Sequence, residues 1–264
     1  MDENIRCCKF SVIDFYERRL EGSIKSFIPL SYHPGGSEAT KRLIEEANIS
    51  RDSKVLDVAS GTGETAIYIA MNFGSNVIGV DLSRKMVEYA NTFVKAVELD
   101  KKVDFILADA ERIPLRDNTF DAAISECTLC LVPDMLKVLY EMRRVVKFGA
   151  KVAISDVILA ERLPESLANT VLHASCISGA KTLNEYIISF EKAGLKKIRA
   201  EDITESVINQ IHQFLGGKIN HNKIDVNLSS FNASEPDIIN LQKLSISLWL
   251  SGKIKYYMIS GVKF

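Results

Sequence analysis

The sequence predicts a single α/β domain built on a mostly parallel sheet with helices on both faces. Two observations carry this: short β-rich runs alternate with helical stretches, a rhythm that implies βαβ units, and no internal repeat or low-complexity tract breaks the chain. At 264 residues, 47% of them hydrophobic, one core of ordinary size can form, so the domain is expected to span 1–264.

Residues 11–29 read as helix within an N-terminal cap, 1–36, and "SYHPGG" (31–36) interrupts them. Ser37 suits the N-cap of the next helix, whose Leu43, Ile44, Ala47 and Ile49 fall on one face. Strands follow at 54–60, 76–81, 103–109, 120–126 and 150–159. The segments 160–180 and 204–252 read as insertions forming a helical lid. Between them lies a helix that Gly194 stops, then a sixth strand from "LKKIRAEDI", and "KIKYYMISGVKF" closes the sheet as an antiparallel strand.

Thirty-three basic against thirty-four acidic residues leave a net charge of −1, which removes the electrostatic basis for nucleic-acid or membrane-surface binding and leaves small molecules as expected partners. The first residues hold acidic groups and no signal-like apolar run, and no stretch reaches 18 apolar residues, so a cytoplasmic protein is expected. Five cysteines, an odd number, argue for free thiols.

"VLDVASGTGETA" (55–66) places a strand, Gly61 and Gly63, then a helix start, where the backbone can approach a ligand and unpaired N–H groups face it. Gly61, Gly63 and Ala66 fit G-x-G-x-x-A, and Asp81 ends the second strand where an acid accepts ribose hydroxyls, so a dinucleotide site is one reading. Asp57 argues for another cofactor. Its charge inside the first strand has no use against a pyrophosphate but would bind an amino group.

From "VLDVASGTG" through "VDLSRKMVEYA" and "ADAERIPLRDNTFD" to "RRVVKFGAKVAISD", the chain resembles the seven-stranded, Rossmann-like S-adenosylmethionine-dependent methyltransferases over roughly residues 35–160. The resemblance implies S-adenosylmethionine as cofactor. It places Asp57, Gly61 and Gly63 at the methionine part, Asp81 at the ribose and Asp109 with Ala110 at the adenine, with Ala59, Leu82, Met86, Ser125 and Glu126 also binding the cofactor. Ala59 stands where that family usually has glycine.

"AISECTLCLVPD" (123–134) and "CISGAKTLNEY" (176–186) look like the arsenite methyltransferases, which carry a cysteine at the end of the fourth strand and another in a C-x-x-G-A element. The resemblance implies that Cys127 and Cys176 hold a thiol-bound trivalent arsenical. Two departures stand beside it: no cysteine precedes the first strand in "SYHPGG", and none follows Cys176. Cys7 or Cys8 could fold over the site. A partly methylated arsenical on two thiols and an unrelated acceptor are both open, as are a C- or O-methyltransferase of a small quinone-like molecule and a module that binds cofactor without catalysis. Free thiols are also common in cores.

Cys127 and Cys130 spell C-x-x-C, but no second pair completes a zinc site, so no metal is expected and Cys130 reads as core. Tyr32 and His33 are candidates for the mouth of the site, with His33 as a candidate base and His173 and Glu126 weaker candidates of the same sort. Lys192, Lys196, Lys197 and Arg199 read as a solvated surface.

Overall fold

The computed structural model describes residues 3–22, 33–161, 176–177, 179–214 and 238–264, and it is an eight-stranded mixed sheet between two layers of helices. In chain order the elements are α1 (Glu3–Leu20), α2 (Gly36–Glu46), β1 (Lys54–Val58), α3 (Glu64–Phe73), β2 (Asn76–Asp81), α4 (Arg84–Ala96), β3 (Val103–Leu107), β4 (Phe120–Glu126), α5 (Met135–Val145) and β5 (Val146–Leu159). They continue with β6 (Lys181–Thr182), α6 (Leu183–Lys192), β7 (Leu195–Asp202), α7 (Thr204–Phe214), α8 (Ile238–Leu250) and β8 (Ile254–Lys263).

Strand order is β3-β2-β1-β4-β5-β8-β7, and the two-residue β6 pairs with β5 off that path. The seven-stranded, mostly parallel sheet read from the sequence is therefore present, with β6 added. β8 runs antiparallel to β5, from Lys151↔Val262 to Leu159↔Ile254, and antiparallel to β7, as expected of a closing strand. β1 pairs in parallel with both β2 and β4. The chain's order reverses there, and the crevice beyond the carboxyl ends of β1 and β4 is where open α/β sheets hold ligands.

Strand side chains alternate between two cores. Val55, Ala122, Ile124, Ala153 and Val157 join the layer of α2, α3, α4, α7 and α8, while Leu56, Ala123, Val152, Ile154 and Ile158 join α5 and α6. α5 buries Met135, Val138, Leu139, Met142 and Val145 on one face, each contributing about 2 kcal/mol. Thr182 and Glu185 form a capping box on α6, and Gly194, φ +81°, follows its last residues, as the glycine stop implied.

Several boundaries differ from the sequence reading. The first helix occupies 3–20 rather than 11–29, and residues 23–32 lie outside the described residues. Gly35 caps α2 in place of Ser37, which sits in the first turn. Gly35 has φ +79°, its N–H donates to Gln210 Oε1 at 3.0 Å, and a Cβ there would strike Ser206 and Ala39. Packing against α7 thus selects glycine over a side-chain cap. β1 and β3 end at 58 and 107, and β5 begins at 146. Of the two insertions, 162–175, 178 and 215–237 lie outside the described residues, His173 among them. No described helix is long and apolar enough to cross a membrane.

Candidate active site

A cavity opens beyond β1 and β4, walled by the β1–α3 loop, Asp81 to Met86, Ala108 to Ala110, the turn after β4, and α1. The β1–α3 loop is shaped by left-handed residues: Ala59 at φ +58°, Gly61 at +53° and Gly63 at +83°. Ser60 N donates to Val80 O at 3.0 Å and Gly63 N to Ser60 O at 2.9 Å, which curls the loop over β2. A Cβ on Gly61 would meet nothing within 4 Å, so the loop presents bare backbone to open space. Gly63 does not reach the cavity wall. It caps α3, and a Cβ there would strike the Phe105 ring, so packing as well as the turn requires glycine.

Asp57 is 3% exposed, and its Oδ2 has no hydrogen-bond partner among the described residues. Burial pushes its carboxyl well above the usual range, and the charges of Glu126 and Asp81 add to this. Asp81 is better served, accepting from Gly61 N and Ser83 N at 2.8 Å each. Burial raises its pKa while those N–H groups oppose the shift. Leu82, Met86 and Ala110 line the same wall, as does Ala59.

Asp109 also lines the cavity, but Lys9 Nζ of α1 lies 2.8 Å from its Oδ2 and 3.1 Å from Glu111 Oε2. Burial works against the lysine's charge, yet hydrogen bonds to the two acids hold its pKa above the usual value. Val12, Ile13 and Tyr16 follow Lys9 along the wall, so α1 covers one side of the cavity. Sequence reasoning missed all four. Their offsets of three, four and seven residues from Lys9 mark one helical face, which was the signal available.

At the end of β4 the predicted residues separate. Ser125 is buried and donates to Val58 O at 2.8 Å, so it ties β4 to β1 rather than facing a ligand. Glu126 faces the cavity within a hydroxyl cradle: Thr65 Oγ1 donates to Oε2, and Thr40 Oγ1 lies 3.2 and 3.3 Å from its two oxygens. His33 Nε2 stands 3.6 Å from Glu126 Oε2 and 3.4 Å from Thr40 Oγ1, which places the predicted histidine at the mouth. Tyr32 lies outside the described residues.

Cys127 lines the cavity in a left-handed conformation, φ +52°, with its N–H bound to Ser155 O at 2.7 Å. Its Sγ lies 2.8 Å from Cys176 Sγ, and Tyr16 Oη is 3.6 Å from Cys176 Sγ. Cys130 was expected to turn into the core. It is buried, at 3% exposure, but the sulfurs of Cys127, Cys130 and Cys176 all lie within 4.8 Å of one another. The chain does not run on as strand or helix after Glu126; it turns, with Leu131 N bound to Thr128 O at 2.8 Å, and this returns Cys130 toward Cys127.

Burial raises the Cys127 and Cys130 thiols well above the usual range. Hydrogen bonds from Cys127, Cys130 and Tyr16 draw Cys176 well below it. As a thiol, Cys176 could instead donate to Cys127 O at 3.2 Å; three donors against that one acceptor favour the thiolate.

Beyond His33 and Thr65 a second chamber runs between α2, α3 and α7, lined by Ser37, Glu38, Tyr68, Ser206, Asn209 and Gln210 among others. No lysine or arginine is in its wall among the described residues.

A family profile described as "Methyltransferase domain" matches residues 49–225. The Methyltransferase GfsG of Streptomyces halstedii is 34% identical over 174 residues, covering 64% of this chain and 62% of that protein. Phosphoethanolamine N-methyltransferase 1 of Zea mays is 28% identical over 230 residues, covering 87% of this chain and 45% of that protein. The match thus spans less than two thirds of these relatives' length. Geranyl diphosphate C-methyltransferase of Streptomyces coelicolor, solved with S-adenosyl-L-homocysteine, shares the fold with a TM-score of 0.70 at 16% identity, over 86% of this chain and 79% of that one. Phosphoethanolamine N-methyltransferase 2 of Haemonchus contortus, solved with S-adenosyl-L-methionine, does so with a TM-score of 0.72 at 21% identity, over 88% and 54%.

Proposed function

The chain belongs to the S-adenosylmethionine-dependent methyltransferase domains, and from that premise we propose that it transfers a methyl group to a small molecule, a trivalent arsenical held by Cys127 and Cys176. The single observation carrying the acceptor is the 2.8 Å approach of the Cys176 sulfur to that of Cys127, which lines the cavity.

The cavity fits the cofactor. Asp57 offers a buried oxygen without a partner, Gly61 offers open backbone, and Asp81 retains acceptor lone pairs beyond its two backbone bonds. Asp57 would hold the amino group, Asp81 the ribose hydroxyls, Asp109 and Ala110 the adenine, with Leu82 and Met86 packing beside them. S-adenosylmethionine supplies an electrophilic methyl on a sulfonium.

The protein's own part is position and desolvation. Thiolates hold trivalent arsenic, a soft centre, and Cys176 has the lowered pKa that loading requires. The bound arsenic keeps a lone pair, which is the nucleophile. α1 acts as a lid: Lys9 latches it to Asp109 and Glu111, and its Val12, Ile13 and Tyr16 exclude water.

A second reading is favoured by the polar chamber. Its hydroxyl, amide and carboxylate lining serves no soft ion, but suits a small uncharged or cationic organic acceptor, with Glu126 or His33 taking the proton in C- or O-methylation. Labelled S-adenosylmethionine offered with methylarsenite separates these readings. Transfer that Cys127→Ser and Cys176→Ser each abolish supports the thiol-held arsenical; transfer unchanged in both removes it. Cofactor binding with transfer to no acceptor would leave a binding module.

A further inference from the structure

We propose that Cys130 is the third thiol of a trigonal site whose ligand is arsenite itself, with three exchangeable bonds, rather than a partly methylated arsenical with two. The proposal rests on the thiol-held acceptor above and specifies its chemistry.

The geometry asks for little adjustment. Sulfurs bound at about 2.3 Å to one soft ion lie no more than about 4 Å apart. The three here already lie within 4.8 Å of each other, so shifts of under about 1 Å close the site.

Two anchors outside the thiols bring Cys130 and Cys176 together. Asp156 Oδ2, at zero exposure, accepts from Cys130 N and from Tyr186 Oη, both at 2.9 Å, and this fixes the turn that carries Cys130. Gly179 sits so close to that turn that a Cβ on it would lie 1.8 Å from Cys130 O. The glycine of "CISG" is therefore what lets the Cys176 segment lie against Cys130. Simple core filling does not require two segments, 46 residues apart, to meet backbone against backbone (176 − 130).

Charge selects the ion. Loading is a ligand exchange: one arsenous acid, the Cys127 and Cys130 thiols, the Cys176 thiolate and one proton from solvent give one arsenic tri-thiolate and three waters, two departing hydroxyls taking the thiol protons and the third the solvent proton. No oxidant is needed, and arsenic keeps its lone pair. The product is neutral, which a buried site beside Asp156 tolerates. Zinc on the same three thiolates would leave a negative charge, and no fourth ligand joins them among the described residues.

The test uses the reduced full-length protein with two probes, arsenite (three exchangeable bonds) and phenylarsine oxide (two), and with arsenic X-ray absorption. Three sulfur neighbours are expected for bound arsenite. Cys130→Ser and Gly179→Ala should each weaken arsenite at least about 10-fold, Cys130→Ser leaving phenylarsine oxide and S-adenosylmethionine affinity unchanged. Cys127→Ser and Cys176→Ser should each weaken arsenite by at least as much, and the Cys7→Ser/Cys8→Ser pair should alter neither probe. Two sulfurs plus an oxygen in the wild-type spectrum, or arsenite affinity unchanged in Cys130→Ser, overturns the third ligand and leaves the two-thiol reading standing. Loss of the third sulfur in Cys7→Ser/Cys8→Ser likewise overturns the assignment to Cys130. Probe affinities indifferent to Cys127 and Cys176 would overturn both. The wild-type spectrum decides the ligand count even where a variant does not fold.

Discussion

Cys127 Sγ and Cys176 Sγ lie 2.8 Å apart, although 49 residues separate them in the chain. One ends a central strand and the other belongs to the segment that returns after β5. Cys127 lines the cavity, and the arrival of Cys176 beside it is a product of the topology.

Asp57→Asn should separate stability from binding. A buried carboxylate whose folded pKa is raised contributes stability only below its unfolded pKa, and that stability is lost as pH rises through the folded value. At neutral pH the ligand-free variant is therefore the more stable protein, with a higher melting temperature. Its S-adenosylmethionine affinity should fall about 10- to 150-fold, the loss of one charge-assisted hydrogen bond of about 1.5–3 kcal/mol. Melting curves with and without cofactor check both signs at once.

Ala59→Gly should be neutral to stabilising by up to about 1 kcal/mol, because Ala59 at φ +58° bears left-handed strain that glycine does not, offset by glycine's freedom in the unfolded chain. Denaturant titration measures this. Cofactor affinity should be retained.

Lys9→Met removes the latch between α1 and the Asp109–Glu111 pair. Opening and closing should both become faster, so cofactor association and dissociation rates rise together by about 3- to 10-fold with little change in affinity. Stopped-flow binding tests this. A changed affinity with unchanged rates would show that Lys9 does not gate entry.

Asp156 has a pKa raised to about 6 from 3.8, by burial and then by the Cys176 charge, with Cys130, Tyr186 and Val157 opposing. Its contribution to stability is fully present below about pH 4 and is lost as pH rises through about 6. Asp156→Asn should remove that slope. The difference between wild-type and variant unfolding free energies, measured from pH 4 to 8, should change between pH 4 and 7 and stay level above.

Much of this was legible in the residues. The alternation of apolar runs and helices marks the sheet, because strands buried on both faces admit few polar side chains, and Asp57 stands out as a charge inside such a run. Asp81, Leu82, Met86 and Ala110 follow from their place after strands that end at one edge. What was not legible depends on tertiary contact. Gly63 and Ser125 have cofactor-like positions but serve Phe105 and Val58 O. The pairing of Lys9 with Asp109 spans 100 residues and leaves no local pattern. Cys130 is buried, as read, but the phase of a strand cannot be carried through a turn, so the residues alone did not show that this turn brings its sulfur back to Cys127.

The most direct test of the account is methyl transfer from labelled S-adenosylmethionine, with arsenite and a set of small organic acceptors offered to wild type, Cys127→Ser and Cys176→Ser at equal cofactor saturation. The account predicts methylated arsenic from wild type and none above background from either variant. Methylation of an organic acceptor at the same rate in all three proteins, with no methylated arsenic, would contradict it.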